Sequence, residues 1–204
     1  MSQSVKPSKS RIPKQKRGFE TRNKILNAAI ELFSSKGYLN TNSNEIARKA
    51  GVSTGSFYMY FDDKKPLFLE IMELFYEEIH LEVLIPAFQD GLTERKEILD
   101  RILTALTELH LKSPELQKEF YSLVYSDKEV QEIYREKQLS VINRLSELLR
   151  SYCHLFTLPN PEESAKVIHG AVEAMMLKQI LFPEVYSDSK IKEELNTMLD
   201  RYLS

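Results

Sequence analysis

The sequence has little cysteine, little glycine and no long apolar run, and each of these absences excludes a class of protein. Cys153 is the only cysteine among 204 residues, so an intrachain disulfide is excluded and the chain fits a reducing compartment. No stretch approaches the roughly 18 consecutive apolar residues of a membrane span. The first residues, MSQSVKPSKSRIPKQKRGF, are basic and lack the apolar core of a secretory signal. We therefore expect a cytoplasmic protein without a membrane partner.

The motifs of several enzyme classes are also absent. With six glycines in the whole chain, no glycine-rich phosphate loop can be drawn, and the sequence contains neither a nucleophile elbow nor HExxH. Cys153 and His154 are adjacent and would point apart on a helix, and no second cysteine or suitably spaced histidine completes a zinc site. We predict no catalytic residue, no metal site and no cofactor.

The net charge of −2 conceals an asymmetry along the chain. Residues 1–65 hold 13 of the 28 basic residues and only 5 of the 30 acidic ones, a balance of +8, while residues 66–204 have a balance of −10. This division suits a protein that meets a polyanion with one end. Taken alone it is equally explained by a solubilising basic tail beside an ordinary surface.

Residues 42–61, NSNEIARKAGVSTGSFYMYF, have the pattern of two short helices joined by a tight turn. Asn42 is a suitable N-cap for the first helix, and Glu45 stands three residues later in the position of a capping box. Ile46 belongs to the apolar face of this helix. Gly51 follows where a residue in the left-handed conformation ends a helix.

The second helix of this pair has a narrow apolar face and a broad polar one. Ser53 is a suitable N-cap, and only Phe57 and Phe61, four residues apart, must face inward. A helix this short is not stable alone in water, so a neighbour must hold it while its hydroxyl-bearing and aromatic side chains face a partner. That is the geometry of a DNA-binding helix-turn-helix, whose second helix enters the major groove.

With the flanking stretches RNKILNAAIELFSSKGY and DDKKPLFLEI, this segment resembles the N-terminal domain of TetR-family transcriptional regulators. The resemblance covers about residues 17–71. It rests on the following spaced positions: Ile25, Ala28, Ala29, Phe33, Gly37, Tyr38, Thr41, Ile46, Ala47, Ala50, Gly51, Val52, Gly55, Phe57, Tyr58, Phe61, Lys64 and Leu67. Ser43 and Thr54 depart from the family pattern, which commonly has an apolar residue at the first position and a lysine at the second.

The rest of the chain has only helical patterns, with punctuation such as Ser113-Pro114, Asn160-Pro161 and a capping box of Ser126 with Glu129. We predict an all-α protein of about nine helices, with helix 1 at about 21–36 and a break near Pro86. The predicted organisation is a disordered basic tail at 1–17, a three-helix DNA-binding domain at 18–62, and a helical ligand-binding and dimerisation domain at 63–204. For the tail, simple solvation is favoured over a role beside the DNA site.

Ten residues are predicted to contact DNA, either bases or phosphates: Thr41, Asn42, Ser53, Thr54, Gly55, Ser56, Tyr58, Met59, Tyr60 and Lys64. The tyrosine hydroxyls are expected to bind phosphates. A cation at the start of a helix, where Lys64 lies, is electrostatically unfavourable. The resemblance implies that this lysine contacts a phosphate.

The resemblance also implies a ligand cavity in the C-terminal part, connected to the DNA end by the long helix after Phe61. Candidate lining residues are Phe75, Phe120, Tyr121, Tyr125, His169 and Glu173. Aromatic residues are more often simple core, and His169 and Glu173, four apart on one helical face, are more often a hydrogen-bonded pair at a helix interface. Both interpretations stay open at this point.

The last two helices have wide apolar faces, which either pack inside the subunit or, as the resemblance implies, pair with a second copy in a four-helix bundle. The candidate interface residues are Val167, Ala171, Met175, Leu195, Met198 and Leu199. A homodimer would place two heads about one helical turn apart, as a palindromic operator requires.

Together these features predict a homodimeric, ligand-responsive transcriptional regulator, with double-stranded operator DNA and a small-molecule effector as its partners. Repression of a palindromic operator, relieved by the effector, is the favoured function. An activator or a ligand-independent regulator of the same fold is the alternative, and a helical protein-interaction module is the rival class.

Overall fold

The computed structural model describes residues 16–89, 94–156 and 158–204. In these residues the chain forms eleven α-helices and one π-helical segment. They are α1 (Lys16–Lys36), α2 (Ser43–Lys49), α3 (Thr54–Tyr60), α4 (Lys64–Glu78), the π-helical segment (Ile79–Leu84), α5 (Ile85–Gln89), α6 (Arg95–Leu111), α7 (Pro114–Ser126), α8 (Lys128–Ser151), α9 (Pro161–Leu181), α10 (Pro183–Tyr186) and α11 (Ser189–Tyr202). None of the described helices combines the length and apolarity needed to cross a bilayer.

The all-α prediction is confirmed, and each of the nine predicted helices has a counterpart. Helix α1 begins at Lys16 and not near Thr21, so the last two residues of the predicted tail are helical. The prediction for residues 1–15 lies outside the described residues. The predicted break near Pro86 is wrong, because the chain continues through the π-helical segment into α5, which contains that proline.

The cap of α8 also differs from the prediction. Ser126 is the last residue of α7, and Asp127 is the N-cap. The Asp127 Oδ1 atom accepts hydrogen bonds from the amides of Glu129 and Val130, at 3.0 and 3.2 Å. Asp127 is a residue type as suited to this position as Ser126.

Helices α1 to α3 form the head, residues 16–61, in which α1 packs on α2 and α2 on α3. Helices α4 to α11 form the body, residues 64–204. In the body α8 lies beside α9, α6 beside α11, and α4 contacts α8. The buried apolar side chains make one continuous cluster that runs from Ile25 in α1 to Leu203 after α11, so the core extends without a gap from head to body.

Polar contacts also join α4 to the head and to the rest of the body. Arg22 of α1 pairs with Glu70 of α4 in a largely buried salt bridge. Lys65, at the start of α4, lies 2.8 Å from Asp127 Oδ2 and 2.7 Å from Glu129 Oε2 at the start of α8. These contacts hold α4 against both α1 and α8.

Candidate DNA-binding surface and ligand cavity

The N-cap predicted for α2 is present. Asn42 Oδ1 accepts a hydrogen bond from the Glu45 amide at 3.0 Å, and the Glu45 carboxylate accepts from Lys36 Nζ at 2.8 Å. This bond to Lys36 lowers the pKa of Glu45. Gly51 has φ +68°, a conformation that side-chain-bearing residues rarely adopt.

Helix α3 presents two unlike faces. Ser53 Oγ accepts from the Ser56 amide at 3.1 Å and caps the helix, and Phe57 and Phe61 are fully buried. Tyr58 and Met59 are 47% and 63% exposed. Of the other predicted contact residues, Asn42, Ser53, Thr54 and Gly55 are exposed, and Ser56 and Tyr60 are half-buried.

Two predicted DNA contacts face the protein interior. The Thr41 side chain is 2% exposed, and its hydroxyl donates to the Gly37 carbonyl at 2.9 Å. Lys64 Nζ donates to the carbonyls of Tyr38 and Thr41, both at 2.7 Å, and to that of Leu39 at 3.5 Å. Since an ammonium group has three donors, the structure gives Lys64 a role inside the protein in place of the predicted phosphate contact.

Ser43, which departs from the family pattern, has a polar partner. Its side chain is buried, and its hydroxyl donates to Asp63 Oδ1 at 3.2 Å. Asp63 precedes α4 but makes no side-chain capping bond to it. The buried hydroxyl at position 43 is therefore satisfied by the residue at the N-cap position of α4.

A cavity of about 100 Å³ lies inside the body among α4, α6, α7, α8 and α9. Its walls are mainly leucine, isoleucine, valine and aromatic side chains, and no lysine or arginine belongs to the described residues that line it. Five of the six predicted residues are in its wall, namely Phe75, Phe120, Tyr121, His169 and Glu173. The sixth prediction is wrong: Tyr125, in the last turn of α7, is 82% exposed.

One wall of the cavity carries a polar cluster around Glu173. Its Oε1 atom accepts from Gln138 Nε2 at 2.6 Å and from the Tyr134 hydroxyl. Gln138 Nε2 also lies 3.3 Å from the Tyr76 hydroxyl. The second oxygen, Oε2, is 3.9 Å from His169 Nδ1, too far for a hydrogen bond.

The pKa values of the titratable neighbours of this carboxyl group are shifted in the direction that favours their neutral forms. Burial lowers the pKa of His169, although Glu173 opposes that shift. Burial also raises the pKa of Tyr76 and, together with the bond to Glu173, that of Tyr134. Among the described residues of this wall, Glu173 is the one acidic side chain, and none of them is a lysine or arginine.

Tyr134 and Gln138, which complete this cluster from α8, were not among the residues predicted from the sequence. Their spacing of four residues places them on one face of the helix, and this was an available signal. That face also contains apolar residues, so the pattern did not distinguish a lining residue from an ordinary partly buried one. His110, which donates from Nδ1 to the Leu106 carbonyl at 2.8 Å, was missed for the same reason.

The predicted interface residues separate into two groups. Val167 and Met198 are more than half exposed, and Ala171 and Met175 are half-buried. Leu195 and Leu199 are buried within the subunit, where α11 packs on α6 and Leu199 reaches the cavity. These two leucines therefore form internal core, contrary to the prediction.

Further exposed apolar side chains lie on the same two helices or in the short segment between them. They are Leu181, Phe182, Val185 and Tyr202. The Tyr202 hydroxyl donates to Ser164 Oγ at 3.1 Å, which brings the end of α11 beside the first turns of α9. We call Val167, Leu181, Phe182, Val185, Met198 and Tyr202 the apolar strip.

The chain is similar in sequence to known regulatory proteins. Residues 25–71 match the family model described as bacterial regulatory proteins of the tetR family. The chain is similar to the HTH-type transcriptional regulator AcrR of Shigella flexneri, with 28% identity over 193 residues that cover 90% of each chain. Four further regulators match over less than half of their own length.

Two crystal structures illustrate the similarity of the fold. A transcriptional regulator from Rhodococcus sp. Rha1 has a TM-score of 0.71 at 18% identity, with 89% of this chain and 95% of that one covered. NalD of Pseudomonas aeruginosa has a TM-score of 0.68 at 24% identity, covering 91% and 96%. At these identities the likeness concerns the fold alone.

Proposed function

This chain is a transcriptional regulator of the TetR family, and we propose that it represses a palindromic operator as a homodimer and leaves it when a small molecule occupies the body. The observation that carries the proposal is the two-faced α3. Phe57 and Phe61 fix the helix to the head, while Thr54, Tyr58 and Met59 face outward. A helix held in this way can enter the major groove.

The charge distribution supports DNA as the partner of the head. Residues 1–65 carry a balance of +8 in a protein whose net charge is −2, so the attraction to phosphates is concentrated at one end. The contact set now comprises eight residues: Asn42, Ser53, Thr54, Gly55, Ser56, Tyr58, Met59 and Tyr60. NalD, which shares this fold, is described as the secondary repressor of the MexAB-OprM multidrug efflux pump, and repression is the corresponding proposal for this chain.

The apolar strip supports the homodimer. Six large apolar side chains between residues 167 and 202 are exposed in the single chain, and large exposed apolar surface marks protein interfaces. In a twofold dimer the same surface is used by both copies. The two heads of such a dimer would then bind two half-sites about 34–36 Å apart.

The cavity supports a small-molecule effector and restricts its chemistry. The wall is apolar apart from the Glu173 cluster and lacks lysine and arginine among the described residues. A carboxyl oxygen without a hydrogen-bonding partner at His169 favours a ligand with a donor or a positive charge, and disfavours a carboxylate. The volume of about 100 Å³ is below the roughly 300 Å³ of pockets for larger ligands, so such an effector must displace lining side chains.

Release from DNA follows if the occupied cavity belongs to a state in which the heads no longer match the operator. An effector lowers DNA affinity only by as much as it prefers that state. Rearrangement of the lining side chains is a physical source of this preference.

The test of the proposal is binding of the full chain to the DNA that flanks its own gene, against shuffled DNA, across a salt series. We expect sequence-preferring binding of two protomers per site, with an affinity that decreases steeply with salt. Equal binding to both DNAs at all salt concentrations, or one protomer per site, would contradict the proposal.

The chemistry of the effector is tested with an alkylamine and the fatty acid of the same chain length. We expect the amine, and not the acid, to release the operator, and Glu173→Gln to remove that difference. Glu147→Gln is the control, because Glu147 is an exposed residue of α8 outside the cavity wall. Release by the acid alone would contradict the assignment of Glu173.

A further inference from the structure

The turn between α1 and α2 is held by two side chains of the body. The Tyr38 amide donates to Glu119 Oε2 of α7 at 2.9 Å. The Tyr38 carbonyl accepts from Lys64 Nζ of α4 at 2.7 Å, and the same ammonium group lies 4.4 Å from the centre of the Tyr38 ring. Both backbone polar groups of one residue are thus bound by charged side chains of two different helices.

Each of these two helices also forms part of the cavity wall. On α7, Phe120 and Tyr121 line the cavity, while Glu119 faces the head. On α4, Phe75 and Tyr76 line the cavity, and Lys64 occupies the opposite end of the helix. A displacement of either helix at the cavity is therefore transmitted to Tyr38 through a helix and one side chain.

The residues around Tyr38 favour this contact, because position 37 leaves room for the Glu119 carboxylate and the Tyr38 ring is packed in place. Gly37 has φ +83°, and a Cβ atom at this position would lie 2.7 Å from Glu119 Oε1. A side chain there would displace the carboxylate from the Tyr38 amide. The Tyr38 ring is buried against Phe33 and Phe68, with ring centres 5.4 and 5.0 Å away, so the residue cannot move without moving the end of α1.

We propose that Glu119, Tyr38 and Lys64 form a clamp that reports the state of the cavity to the head, with Glu119 as its positioning residue. With the clamp closed, the Tyr38 turn fixes the start of α2 and hence the direction of α3. When α7 or α4 moves at the cavity, the clamp opens and the two heads lose their operator-binding positions. This inference rests on the proposed function for its effect on DNA, but the clamp itself is measurable without DNA.

The first measurement is hydrogen exchange at the Tyr38 amide of the full chain, relative to the Ile46 amide. Ile46 is bonded inside the head to the Asn42 carbonyl at 3.1 Å, so it reports opening of the head as a whole. We expect Glu119→Ala to accelerate exchange at Tyr38 at least about tenfold relative to Ile46. Glu119→Gln keeps an accepting oxygen and is expected to retain most of the protection. Glu115→Ala, on the exposed side of the same helix, is the control.

The second measurement tests the connection to the cavity with an occupant that is part of the chain. Leu106→Phe adds a ring to the cavity wall from α6, which contributes no clamp residue. We expect this variant to accelerate exchange at Tyr38 more than at Ile46. Unchanged Tyr38 exchange in Leu106→Phe or in Glu119→Ala would overturn the proposal.

Operator affinity completes the test. We expect Glu119→Ala to lower it by a factor in the range of 5 to 150 that couplings between sites usually reach, with Glu119→Gln close to the unsubstituted protein. In the Glu119→Ala background, Leu106→Phe is expected to have no further effect; fully additive effects would overturn the clamp as the route. Failure of the unsubstituted protein to prefer its operator, with Tyr38 exchange still responding to Leu106→Phe, would refute the proposed function and leave the clamp supported.

Discussion

At the scale of single residues, Lys64 shows how a local contact changes the interpretation of a motif position. The family resemblance implies a phosphate contact, whereas the structure places its ammonium group on three carbonyls, and burial lowers its pKa. A lysine committed to the protein interior neutralises no phosphate. Its contribution to DNA binding is then to hold the turn that begins the helix-turn-helix.

We therefore expect Lys64→Ala to weaken operator binding about tenfold without changing the slope of log affinity against log salt. Each lost phosphate contact would reduce that slope by about 0.9. The measurement is operator affinity at four or more salt concentrations. Lys118→Ala, in an exposed ion pair on α7, is the control and should alter neither quantity. A slope reduced by about one unit would return Lys64 to the phosphate contacts.

Tyr58 is the clearest outward-facing residue with a hydroxyl on α3. If that hydroxyl binds a phosphate, Tyr58→Phe should weaken binding by about 1 kcal/mol, or roughly fivefold, on every DNA sequence alike. Binding to a panel of operators with single base changes measures this. Tyr125→Phe, on the exposed end of α7, is the matched control. A loss confined to one base position would contradict the phosphate assignment.

At the scale of elements, the helix-turn-helix could be predicted closely because its signals are local. Asn42 and Ser53 cap the helices they were expected to cap, and Gly51 takes the positive φ that ends α2. The π-helical segment could not be predicted. In a π-helix each backbone hydrogen bond spans five residues, one more than in an α-helix. The segment packs against α6, and no local sequence pattern encodes that contact.

The direction in which a helical face points was the harder part to predict. Tyr125 has the spacing of a cavity residue, four after Tyr121, but the helix ends at the next residue and nothing covers it. On α11 the apolar stripe includes both Leu199 and Met198, one residue apart. The first faces α6 and the second faces solvent. Periodicity identifies such a stripe but not which neighbour covers each part of it.

Buried histidines make the stability of the fold depend on pH. Burial lowers the pKa of His110 below the ordinary value of about 6.5, so the unfolded chain takes up a proton at pH values where the folded chain does not. Stability must then decrease as pH falls below about 6.5, by at most about 1.4 kcal/mol per pH unit for one histidine. His80 and His169 contribute with the same sign.

We expect His110→Phe to reduce this acid-side loss while preserving the edge-on ring contact with Phe75. The measurement is the difference in free energy of unfolding between pH 7.5 and pH 5.5 for both proteins. An equal difference in the two proteins would show that the pKa of His110 is the same in the folded and the unfolded chain.

At the scale of the whole molecule, head and body are less separate than the charge division suggests. The sequence changes from basic to acidic near residue 65, close to the domain boundary at 62/63, which stays a prediction. The buried core nevertheless runs from α1 to α11, and polar links from Glu70, Glu119 and Lys64 to the head cross the same boundary. A body packed in this way cannot change shape at α4 or α7 without affecting the head.

The homodimer is the remaining property of the whole molecule, and the apolar strip gives a direct test of it. Val167→Glu places a charge where we expect a second copy to bury it, and an unpaired buried charge is strongly unfavourable. We expect the variant to sediment as a monomer and to lose at least about 100-fold in operator affinity, because the second head no longer binds at high effective concentration. Binding to an isolated half-site should be unchanged. Leu139→Glu, on the exposed side of α8 outside the strip, is the control. A Val167→Glu protein that remains dimeric would place the interface on another surface.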